Sequence, residues 1–416
     1  GSFFYYTDLG TYSSVGGAMV VTGRLENTDQ TLMLNDQTGD WLLSPGRIVG
    51  GVVDAIDGHR LLSQGGTLTS LTLNAPLTVK PNSTHYIENN LILNSVITIG
   101  DVNNANNTLN FRGTAGTLSG VGSIQQVGTG VATISNTQTG ANQVLMIAAG
   151  IKFNLGPKAT FTYSTNRKIV NGGHITIDAG GAPSSVTLGS ESATNGFSNN
   201  GTIEFKNGVQ GTIWGINGPI NNVIFVGSNT LTLNGAYSVN QELTVPLGTT
   251  LFLTGAWTRN ASMNIAGSVI FDHGNDNDAT YNAIKAAIVS GYNNGTWNGP
   301  GLRDPLALTT PNTTLLAAKS ASLLGPTGGI YNGVNVDSTA VIVRHTLAAD
   351  TNLDGVTNFS DLLIVAQQYG QSGVGLSGDL NGDGVVNFVD LLLVAQNYGQ
   401  TLATEQRETP RLRRLV

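Results

Sequence analysis

The chain lacks cysteine altogether and has few charged, aromatic or histidine residues. Its 416 residues include no cysteine, 5 histidines, 6% aromatic residues and only 11% charged residues, where an average soluble domain carries roughly 25% charged residues. The absence of cysteine excludes a disulfide scaffold and any thiolate metal or redox site. Few charges combined with 40% hydrophobic residues argue against intrinsic disorder, which requires the opposite balance.

Two kinds of partner are also excluded by what is missing. No stretch approaches about 18 uninterrupted apolar residues, so we expect no membrane-spanning helix. With a formal net charge of −7, the chain lacks the basic character with which proteins attract nucleic acid, and we expect no nucleic-acid partner. Glycine stands at position 1 with no charged-then-apolar leader before it, so we interpret the chain as a secreted product whose signal peptide has been removed. We expect an extracellular or cell-surface location.

Glycine and asparagine are abundant, and they form the turns between the predicted strands of a long β-rich region. Glycine takes 55 positions and asparagine 43. From residue 12 to 272, short runs in which apolar residues alternate with Thr, Ser or Asn are separated by Gly/Asn turns, the period-two pattern of half-buried strands. The turns include Gly65-Gly66 and Asn207-Gly208, residue types that adopt positive φ without strain. We assign residues 1–272 to one β-domain and predict a mainly β fold.

Two architectures fit this β-domain. Short strands, Gly/Asn turns and phrases that recur at loosely similar spacing favour a parallel β-helix, or solenoid, in which asparagines at the corners form ladders. The alternative is a β-sandwich of antiparallel hairpins. The phrases SLTLNAPLTV and NTLTLNGAYSVNQELTV resemble the autotransporter-associated β-strand repeats of secreted bacterial proteins. That resemblance implies a right-handed parallel β-helix on an exported, surface-associated protein.

Residues 273–349 change character and form a mixed connecting module. The spacing of apolar residues predicts a helix over 279–290 and a strand over 338–347. The phrase GYNNGTWNGPG, followed by VIVRHTLAADTNLDG, resembles a junction of secreted planctomycete exoproteins between β-repeats and a dockerin-like pair. Tyr292 and Trp297 could build a carbohydrate subsite, but we favour the simpler interpretation that they pack a loop.

Residues 350–400 contain a duplicated motif and six aspartates without a single Lys, Arg or Glu. Both copies follow the pattern D-x-N-x-D-G-x-x-N-x-x-D. Oxygen ligands at positions 1, 3, 5, 9 and 12, with a backbone carbonyl at position 7, can wrap a hard cation, and glycine at position 6 permits the sharp turn. We therefore predict two Ca²⁺ ions. Their ligands would be Asp350, Asn352, Asp354, Val356, Asn358 and Asp361 in the first loop, and Asp379, Asn381, Asp383, Val385, Asn387 and Asp390 in the second.

Each loop runs straight into an apolar helix. The equivalent residues Phe359, Leu362, Leu363 and Val365 in one helix and Phe388, Leu391, Leu392 and Val394 in the other predict that the two helices pack face to face. A loop followed by a helix, with Asp at position 12, resembles the type I dockerin repeat, a small α-helical EF-hand pair. The resemblance implies docking to a cohesin-like partner, although the residue pairs at positions 10 and 11 depart from the usual Ser-Thr type.

The last segment, 401–416, is a basic tail. Its arginines are Arg407, Arg411, Arg413 and Arg414. Together with the aromatic start of the chain, Phe3 to Tyr6, this tail suggests subunit contacts through the two chain ends. We predict a homo-oligomer or polymer.

No pattern indicates catalysis, so we predict that the protein is not an enzyme. The histidines, His59, His85, His174, His273 and His345, are scattered. Asp272, Asp276 and Asp278 form a local cluster that we interpret as a solvated loop or helix cap, with a third calcium site as the alternative. The sequence thus predicts an extracellular, self-assembling surface or fibre subunit whose calcium-stabilised C-terminal module docks to a neighbour. The alternative is a carbohydrate-binding, adhesive or polysaccharide-active β-helix protein anchored through a dockerin–cohesin-like contact.

Overall fold

The computed structural model describes residues 3–10, 13–14, 17–114, 116–140, 143–163, 167–189, 196–214, 218–219, 222–235, 237–272, 277–373 and 376–403. The protein is mainly β, with 45% strand and 13% helix, and it contains several parallel sheets. It divides into two compact units, Gly1–Val223 and Ile224–Val416.

The first unit consists of short strands and a single 3₁₀ turn, Tyr6–Leu9, within its described residues. The strands are β1 (Phe3–Tyr5), β2 (Met19–Val21), β3 (Arg24–Glu26), β4 (Thr31–Leu34), β5 (Trp41–Leu43), β6 (Arg47–Val49), β7 (Val52–Ala55), β8 (Leu61–Ser63), β9 (Thr67–Leu73), β10 (Leu77–Val79), β11 (Thr84–Leu93), β12 (Val96–Gly100), β13 (Asn107–Arg112), β14 (Thr117–Gly120), β15 (Ser123–Val127), β16 (Ala132–Asn136), β17 (Val144–Ile147), β18 (Lys152–Leu155), β19 (Ala159–Tyr163), β20 (Lys168–Asn171), β21 (His174–Asp178), β22 (Val186–Leu188), β23 (Phe197–Asn199), β24 (Thr202–Lys206), β25 (Gln210–Trp214) and β26 (Gly218–Pro219). Strand β27 (Val223–Val226) follows at the boundary.

These strands pair in three parallel rows. The first row runs β1–β3–β6–β9–β11–β13–β16–β19–β22–β25. The second runs β4–β7–β9–β11–β14–β17–β20–β23. The third runs β2–β5–β8–β10–β12–β15–β18–β21–β24. The long strands β9 and β11 belong to the first two rows, and their pairing shifts register between Glu88 and Leu91.

Alternation of apolar and polar residues explains why these segments form strands. In β13 the side chains of Asn107, Leu109 and Phe111 are buried, while those between them are partly exposed. The in-register pairing also aligns identical residues on neighbouring strands, and the longest row of identical residues consists of six threonines. It comprises Thr84, Thr108, Thr133, Thr160, Thr187 and Thr212. β-branched residues suit this half-buried position because they pack well on a pleated surface.

Asparagine supports the turns between strands. Buried Asn171 donates from Nδ2 to Oδ1 of buried Asn199 at 2.7 Å, which joins equivalent positions of neighbouring strands. The predicted turn at Asn207-Gly208 has positive φ at both residues, 57° and 95°. Because asparagine and glycine tolerate this conformation, the chain reverses there without a steric penalty.

The second unit mixes strands and helices. Its strands are β28 (Thr230–Asn234), β29 (Tyr237–Val239), β30 (Leu243–Val245), β31 (Thr250–Thr254), β32 (Trp257–Arg259), β33 (Met263–Ile265), β34 (Ser268–Asp272), β35 (Leu302–Arg303), β36 (Thr313–Lys319), β37 (Gly329–Tyr331), β38 (Val334–Val336) and β39 (Val341–Leu347). Its helices are α1 (Asn277–Tyr292), α2 (Ser320–Leu324), α3 (Phe359–Gln368) and α4 (Phe388–Asn397), with a 3₁₀ turn at Pro305–Leu308.

Strand β39 is the centre of this unit's main sheet. Parallel pairing continues from β28 through β31 to β34, and β39 then pairs antiparallel with both β34 and β36. All seven residues of β39 are buried, as expected for a strand covered on both faces. One face of the sheet contributes Ile270, Leu316 and Ile342 to an apolar cluster that also contains Leu353. Strand β39 ends at Leu347, so the first duplicated loop, which begins at Asp350, follows almost directly from a buried central strand.

The structure agrees with the coarse prediction of a mainly β chain. Every described pairing among strands within residues 3–272 is parallel, whereas the sandwich alternative relies on antiparallel hairpins. The helix predicted over 279–290 corresponds to α1, which begins two residues earlier and ends two residues later. The strand predicted over 338–347 corresponds to the shorter β39.

Candidate metal centre

The first duplicated loop wraps its backbone around two carboxylates. Asp350 accepts from the backbone N–H of Asp354 at 2.9 Å through Oδ1 and from that of Gly355 at 2.8 Å through Oδ2. Asp361, from the first turn of α3, accepts from the backbone N–H of Asn352 at 3.2 Å and of Asn358 at 2.8 Å. Positions 1 and 12 are thus joined to the backbone between them, and the loop is closed.

The second loop repeats this arrangement. Asp379 accepts from the N–H groups of Asp383 at 3.1 Å and Gly384 at 3.1 Å. Asp390 accepts from the N–H groups of Asn381 at 3.3 Å and Asn387 at 2.8 Å. The duplication in the sequence is therefore a duplication in geometry.

In both loops the asparagine at position 3 donates a hydrogen bond to the aspartate at position 5. The amide of Asn352 donates to Asp354 at 3.1 Å, and the amide of Asn381 donates to Asp383 at 2.8 Å. Both aspartates are exposed. The glycine at position 6 has a positive φ in each loop, 82° in one and 87° in the other, which confirms the turn that the sequence predicts.

Each loop ends in a capping box that starts its helix. Asn358 Oδ1 accepts from the N–H of Ser360 at 2.7 Å, and Asn387 Oδ1 accepts from that of Val389 at 2.8 Å. The position-12 aspartate accepts a hydrogen bond from the backbone N–H of the cap residue in both cases. Asparagine is among the best N-cap residues, so position 9 caps the helix in each repeat.

Burial perturbs the first loop's carboxyl groups. Desolvation raises the pKa of Asp350 to about 6, against the opposing hydrogen bonds from Thr346 and Gly355. Desolvation likewise raises the pKa of Asp361. In the second loop, hydrogen bonds from the Asn381 amide and the Val385 N–H lower the pKa of exposed Asp383. Buried carboxylates of this kind gain most from a nearby positive charge.

The residues of both loops fit a hard divalent cation. Carboxylate, amide and backbone oxygens are the ligands that Ca²⁺ takes, and all twelve predicted ligand positions lie in these two loops. In the described part of the chain, no group of three or more His, Cys, Asp or Glu side chains is arranged to hold a metal ion. The three aspartates of each predicted set therefore do not form such a group, and the asparagine and carbonyl oxygens that make up the other half of each set are not part of that criterion. The predicted ligand set accordingly stays a prediction.

The helix pair packs through fewer residues than the sequence predicts. Val365 and Val394 are fully buried together with Ala349 and Val386, and Leu362 and Leu391 pack against them. The remaining four residues predicted at this interface are exposed: Phe359 by 63%, Phe388 by 65%, Leu363 by 44% and Leu392 by 40%. The prediction was wrong for these four. Helical periodicity shows that each helix is apolar on one side. Here apolar residues lie on more than one face of each ten-residue helix, so periodicity does not indicate which face is packed.

Two residues of β39, just before the first loop and outside its motif, also contact the loop. Thr346 of β39 donates its hydroxyl to Asp350 Oδ2. Buried Arg344 donates from Nη1 to the backbone carbonyl of Leu353 at 3.1 Å. Leu353 itself is 1% exposed, so the first loop is tied to the core of its unit.

The second loop lies against α1. Lys285 donates from Nζ to the backbone carbonyl of Asp379 at 2.8 Å. Tyr281 donates its hydroxyl to Ala317 O at 3.2 Å and approaches Ser377 Oγ at 3.4 Å. The helical pattern that predicts α1 could have identified Lys285 as a polar residue amid apolar ones, but not what it contacts.

In the aromatic pair of the connecting module, Trp297 packs internally, whereas Tyr292 is 46% exposed. Trp297 is 6% exposed, and its ring meets that of Tyr292 edge to face at 5.2 Å between centroids. Both rings border a cavity of about 310 Å³ that α1, β36 and the second loop line. For Trp297 this geometry agrees with the packing interpretation, because a sugar-binding platform needs an exposed ring face.

The histidines lie in separate environments. His345 Nδ1 contacts Asp304 Oδ2 at 2.8 Å in the core, and buried His85 contacts Ser63 Oγ at 2.7 Å. His59 contacts both Asp36 and Asp40, at 3.0 and 3.1 Å. His174 approaches Glu204 at 3.6 Å, and His273 lies outside the described residues.

Two other predicted features lie only partly within the residues that the structure describes. In the local acidic cluster, Asp278 pairs with Lys319, Asp272 is the last residue of β34, and Asp276 lies outside the described residues. The four tail arginines, Arg407, Arg411, Arg413 and Arg414, also lie outside them. At the other end of the chain, Phe3 and Tyr5 are exposed by 54% and 53%.

Comparison with known proteins finds no matching family model, no similar curated protein and no similar solved structure. Within the described residues, no helix has the length and apolar character needed to cross a membrane.

Proposed function

We propose that this protein is a non-enzymatic, extracellular structural subunit that assembles with copies of itself and carries a C-terminal calcium-binding module. The module is a dockerin-like pair of loop–helix repeats that binds two Ca²⁺ ions. It docks to a neighbouring copy or to a surface partner. The observation that carries the proposal is the duplicated loop, in which two matched sets of oxygen ligands adopt the same closed backbone path.

In this proposal calcium stabilises the module by neutralising carboxylates that folding buries. Asp350 and Asp361 are both fully buried, and their raised pKa values express the cost of keeping them charged there. A divalent ion bound between the ends of each loop would offset that cost and hold the start of the helix. Folding and calcium binding would then be linked, as in other sites whose ligands come from one loop.

The parallel strands of the first unit form a body that we interpret as a parallel β-solenoid. Support comes from the three parallel rows and from side-chain hydrogen bonds that link residues 24 to 29 positions apart, about one turn of such a fold. Each turn stacks on the next through in-register pairs, so the chain can be extended without a new core. A stack of turns of this kind suits a fibre or surface layer.

Docking is supported by apolar residues that the helix pair leaves exposed. We call these residues the docking patch: Phe359, Leu363, Tyr369, Phe388, Leu392 and Tyr398. Each residue in α3 has its equivalent in or just after α4. Two of them occupy position 10 of the calcium loops. Exposed aromatic residues of this density are unusual on a free surface and are typical of interfaces.

Low charge supports self-association. Only 11% of residues are charged, and the excess of acidic residues is concentrated in the two loops. Two bound calcium ions would offset four of the seven net negative charges. A protein near neutrality has little electrostatic repulsion between copies.

Titration calorimetry of the metal-free protein tests the calcium proposal. We expect two Ca²⁺ ions per chain. Loss of one ion is expected for Asp354→Ala or Asp383→Ala, because each removes an exposed ligand from one loop. Both substitutions together should abolish binding, while Asp337→Ala, outside the loops, should leave both sites. Absence of binding in the wild-type protein would contradict the proposal.

Assembly is tested separately by light scattering and electron microscopy with calcium or a chelator. We expect particles larger than one chain in calcium and smaller ones after chelation. Phe359→Ser combined with Phe388→Ser should reduce assembly without loss of calcium, and Val102→Ser, which alters another highly exposed apolar residue, is the matched control. A monodisperse monomer in calcium would refute self-assembly.

A further inference from the structure

The cavity of about 310 Å³ between α1, β36 and the second duplicated loop has mostly apolar walls. Ile288, Leu315 and Leu393 line it together with the two aromatic rings described above. Val289 also lines it and is 49% exposed, so the cavity opens to the surface. Apolar and aromatic walls around a space of this size are typical of sites that bind an apolar group.

The sequence duplication shows which side chain the second repeat lacks beside this cavity. Position 4 of the first loop is Leu353, which is 1% exposed and belongs to the apolar cluster around β39. Position 4 of the second loop is Gly382, which lines the cavity. Both residues have a positive φ, 57° and 74°, so the backbone path is the same. A β-carbon on Gly382 would meet Val289 Cγ2 at 3.1 Å. The apolar side chain that anchors the first loop therefore has no counterpart in the second.

The same chain exposes two aromatic side chains that match this cavity in chemistry. Phe359 and Phe388 are 63% and 65% exposed, so neither fills the cavity of its own chain. Phe388 and Leu393 lie about 140° apart around α4, since each residue turns a helix by about 100°. The exposed phenylalanine and the cavity wall consequently face different directions. One chain can present a phenylalanine to one neighbour and its cavity to another.

We propose that the docking patch and this cavity are the two halves of one contact, in which Phe359 or Phe388 of one copy inserts into the cavity of the next. The inference rests on the self-assembly proposed above and names its receiving site. Burying an exposed aromatic ring among apolar side chains is favourable. Lys285 is the one charged residue among the described residues of the lining, and its Nζ already donates to the carbonyl of Asp379 at 2.8 Å.

This contact determines the type of assembly. It joins two different surfaces, so it is heterologous, and each copy that receives a phenylalanine still offers its own. Contacts of this kind repeat from copy to copy and build a ring or a filament, whereas a contact between identical surfaces stops at a dimer.

Filling the cavity tests the proposal. Ala348 lines the cavity and is half-buried, so Ala348→Leu places three more carbon atoms in it. We expect the protein concentration needed for half-maximal assembly to rise on the order of tenfold, as for loss of a central interface residue. Ala286→Leu is the matched control, because Ala286 of α1 is exposed and does not line the cavity. Light scattering over a dilution series in calcium measures both variants.

Disulfide cross-linking identifies the contact directly, because the chain has no cysteine of its own. Val289→Cys places a thiol at the rim of the cavity, and Ser360→Cys and Val389→Cys each place one beside a phenylalanine. When the rim variant is mixed with each of these under mild oxidation, a linked pair is expected for at least one. Such a bond requires β-carbons within about 4.5 Å. Ser322→Cys, at an exposed serine of α2, is the control and should not link to the rim.

The outcomes separate the two proposals. If the wild-type protein remains a monodisperse monomer in calcium, self-assembly fails and this inference fails with it. If the wild-type protein assembles, but Ala348→Leu assembles as before or neither pair cross-links above the control, the cavity is not the receiving site and only this inference fails. Cross-linking decides the matter even if Ala348→Leu does not fold.

Discussion

At the scale of single residues, each proposed calcium loop contains a glycine in a left-handed conformation. Gly384 has a φ of 87° and donates its N–H to Asp379 Oδ2 at 3.1 Å. An L-residue with a β-carbon costs about 1–2 kcal/mol in this conformation. The same glycine thus serves the turn and the orientation of the first ligand.

Gly384→Ala should therefore lower the calcium affinity of the second loop roughly tenfold, since a strain of about 1.4 kcal/mol corresponds to a factor of ten in affinity. The calcium affinity of the first loop should not change. Calorimetry resolves the two sites. Gly399→Ala, at an exposed positive-φ glycine outside the loops, is the control for strain alone. Equal affinity in the second loop of both variants would contradict the assigned role.

A second residue-scale effect concerns a buried histidine in the first unit. His85 is fully buried in β11, and burial lowers its pKa to about 3 from an ordinary 6.5. Between these pH values the unfolded chain binds a proton that the folded chain does not. Stability must therefore fall as the pH drops below 6.5.

We expect His85 to contribute up to roughly 1.4 kcal/mol of lost stability for each pH unit below 6.5. His85→Gln should remove this contribution, since glutamine binds no proton and can still bond Ser63. The difference in unfolding free energy between wild type and variant, measured by denaturant titration from pH 7 to pH 4, should shrink or reverse toward pH 4. A constant difference across that range would exclude the linkage.

At the scale of elements, α3 and α4 are short amphipathic helices whose stability comes from contact with each other and with the loops. Ten-residue helices are marginal in isolation. Here each begins at a capping box formed by its own duplicated loop, and Val365 and Val394 lie in the shared core. An ordered conformation of each loop and the packing of the two helices therefore stabilise each other.

Val365→Ala should destabilise this helix pair by about 1–3 kcal/mol, because it removes fully buried methyl groups. Leu363→Ala, two residues earlier on the exposed side, should cost less than about 0.5 kcal/mol. Hydrogen exchange of α3 and α4 amides measures both effects locally. Equal losses in the two variants would mean that the packed face of α3 is assigned wrongly.

At the scale of the whole molecule, the two compact units are expected to respond differently to calcium. Both proposed calcium loops belong to Ile224–Val416, and Gly1–Val223 is built from parallel strands and buried apolar residues. Ligand binding stabilises only the folded state that contains the site.

Chelation should thus lower the unfolding temperature of the second unit and leave that of the first nearly unchanged. Calorimetric scans with calcium and with a chelator measure this, and hydrogen exchange by mass spectrometry assigns each transition to its residues. Equal exchange protection of residues 350–400 in the two conditions would rule out calcium stabilisation. Magnesium in place of calcium is a useful control, since it demands a smaller and more regular ligand shell.

How much the sequence predicts depends on how local each feature is. The loops, their glycine turns and their helix caps are encoded within twelve consecutive residues, so their closed geometry was predictable. Strand propensity and period-two alternation similarly predicted a mainly β chain. The faces of α3 and α4 were not predictable, because both sides of these helices carry apolar residues and only the neighbouring elements select one.

The sequence by itself determined that the chain is built from short strands and two matched oxygen-rich loops. These properties follow from interactions between neighbours along the chain. The tertiary structure alone decided that Thr346 and Arg344 brace the first loop, that Lys285 reaches the second, and that Phe359 and Phe388 stay exposed. Lys285 lies 94 residues from Asp379, whereas Thr346 and Arg344 are near the first loop in sequence but outside its motif. All of these contacts depend on how the strands and helices pack, which the motif does not encode.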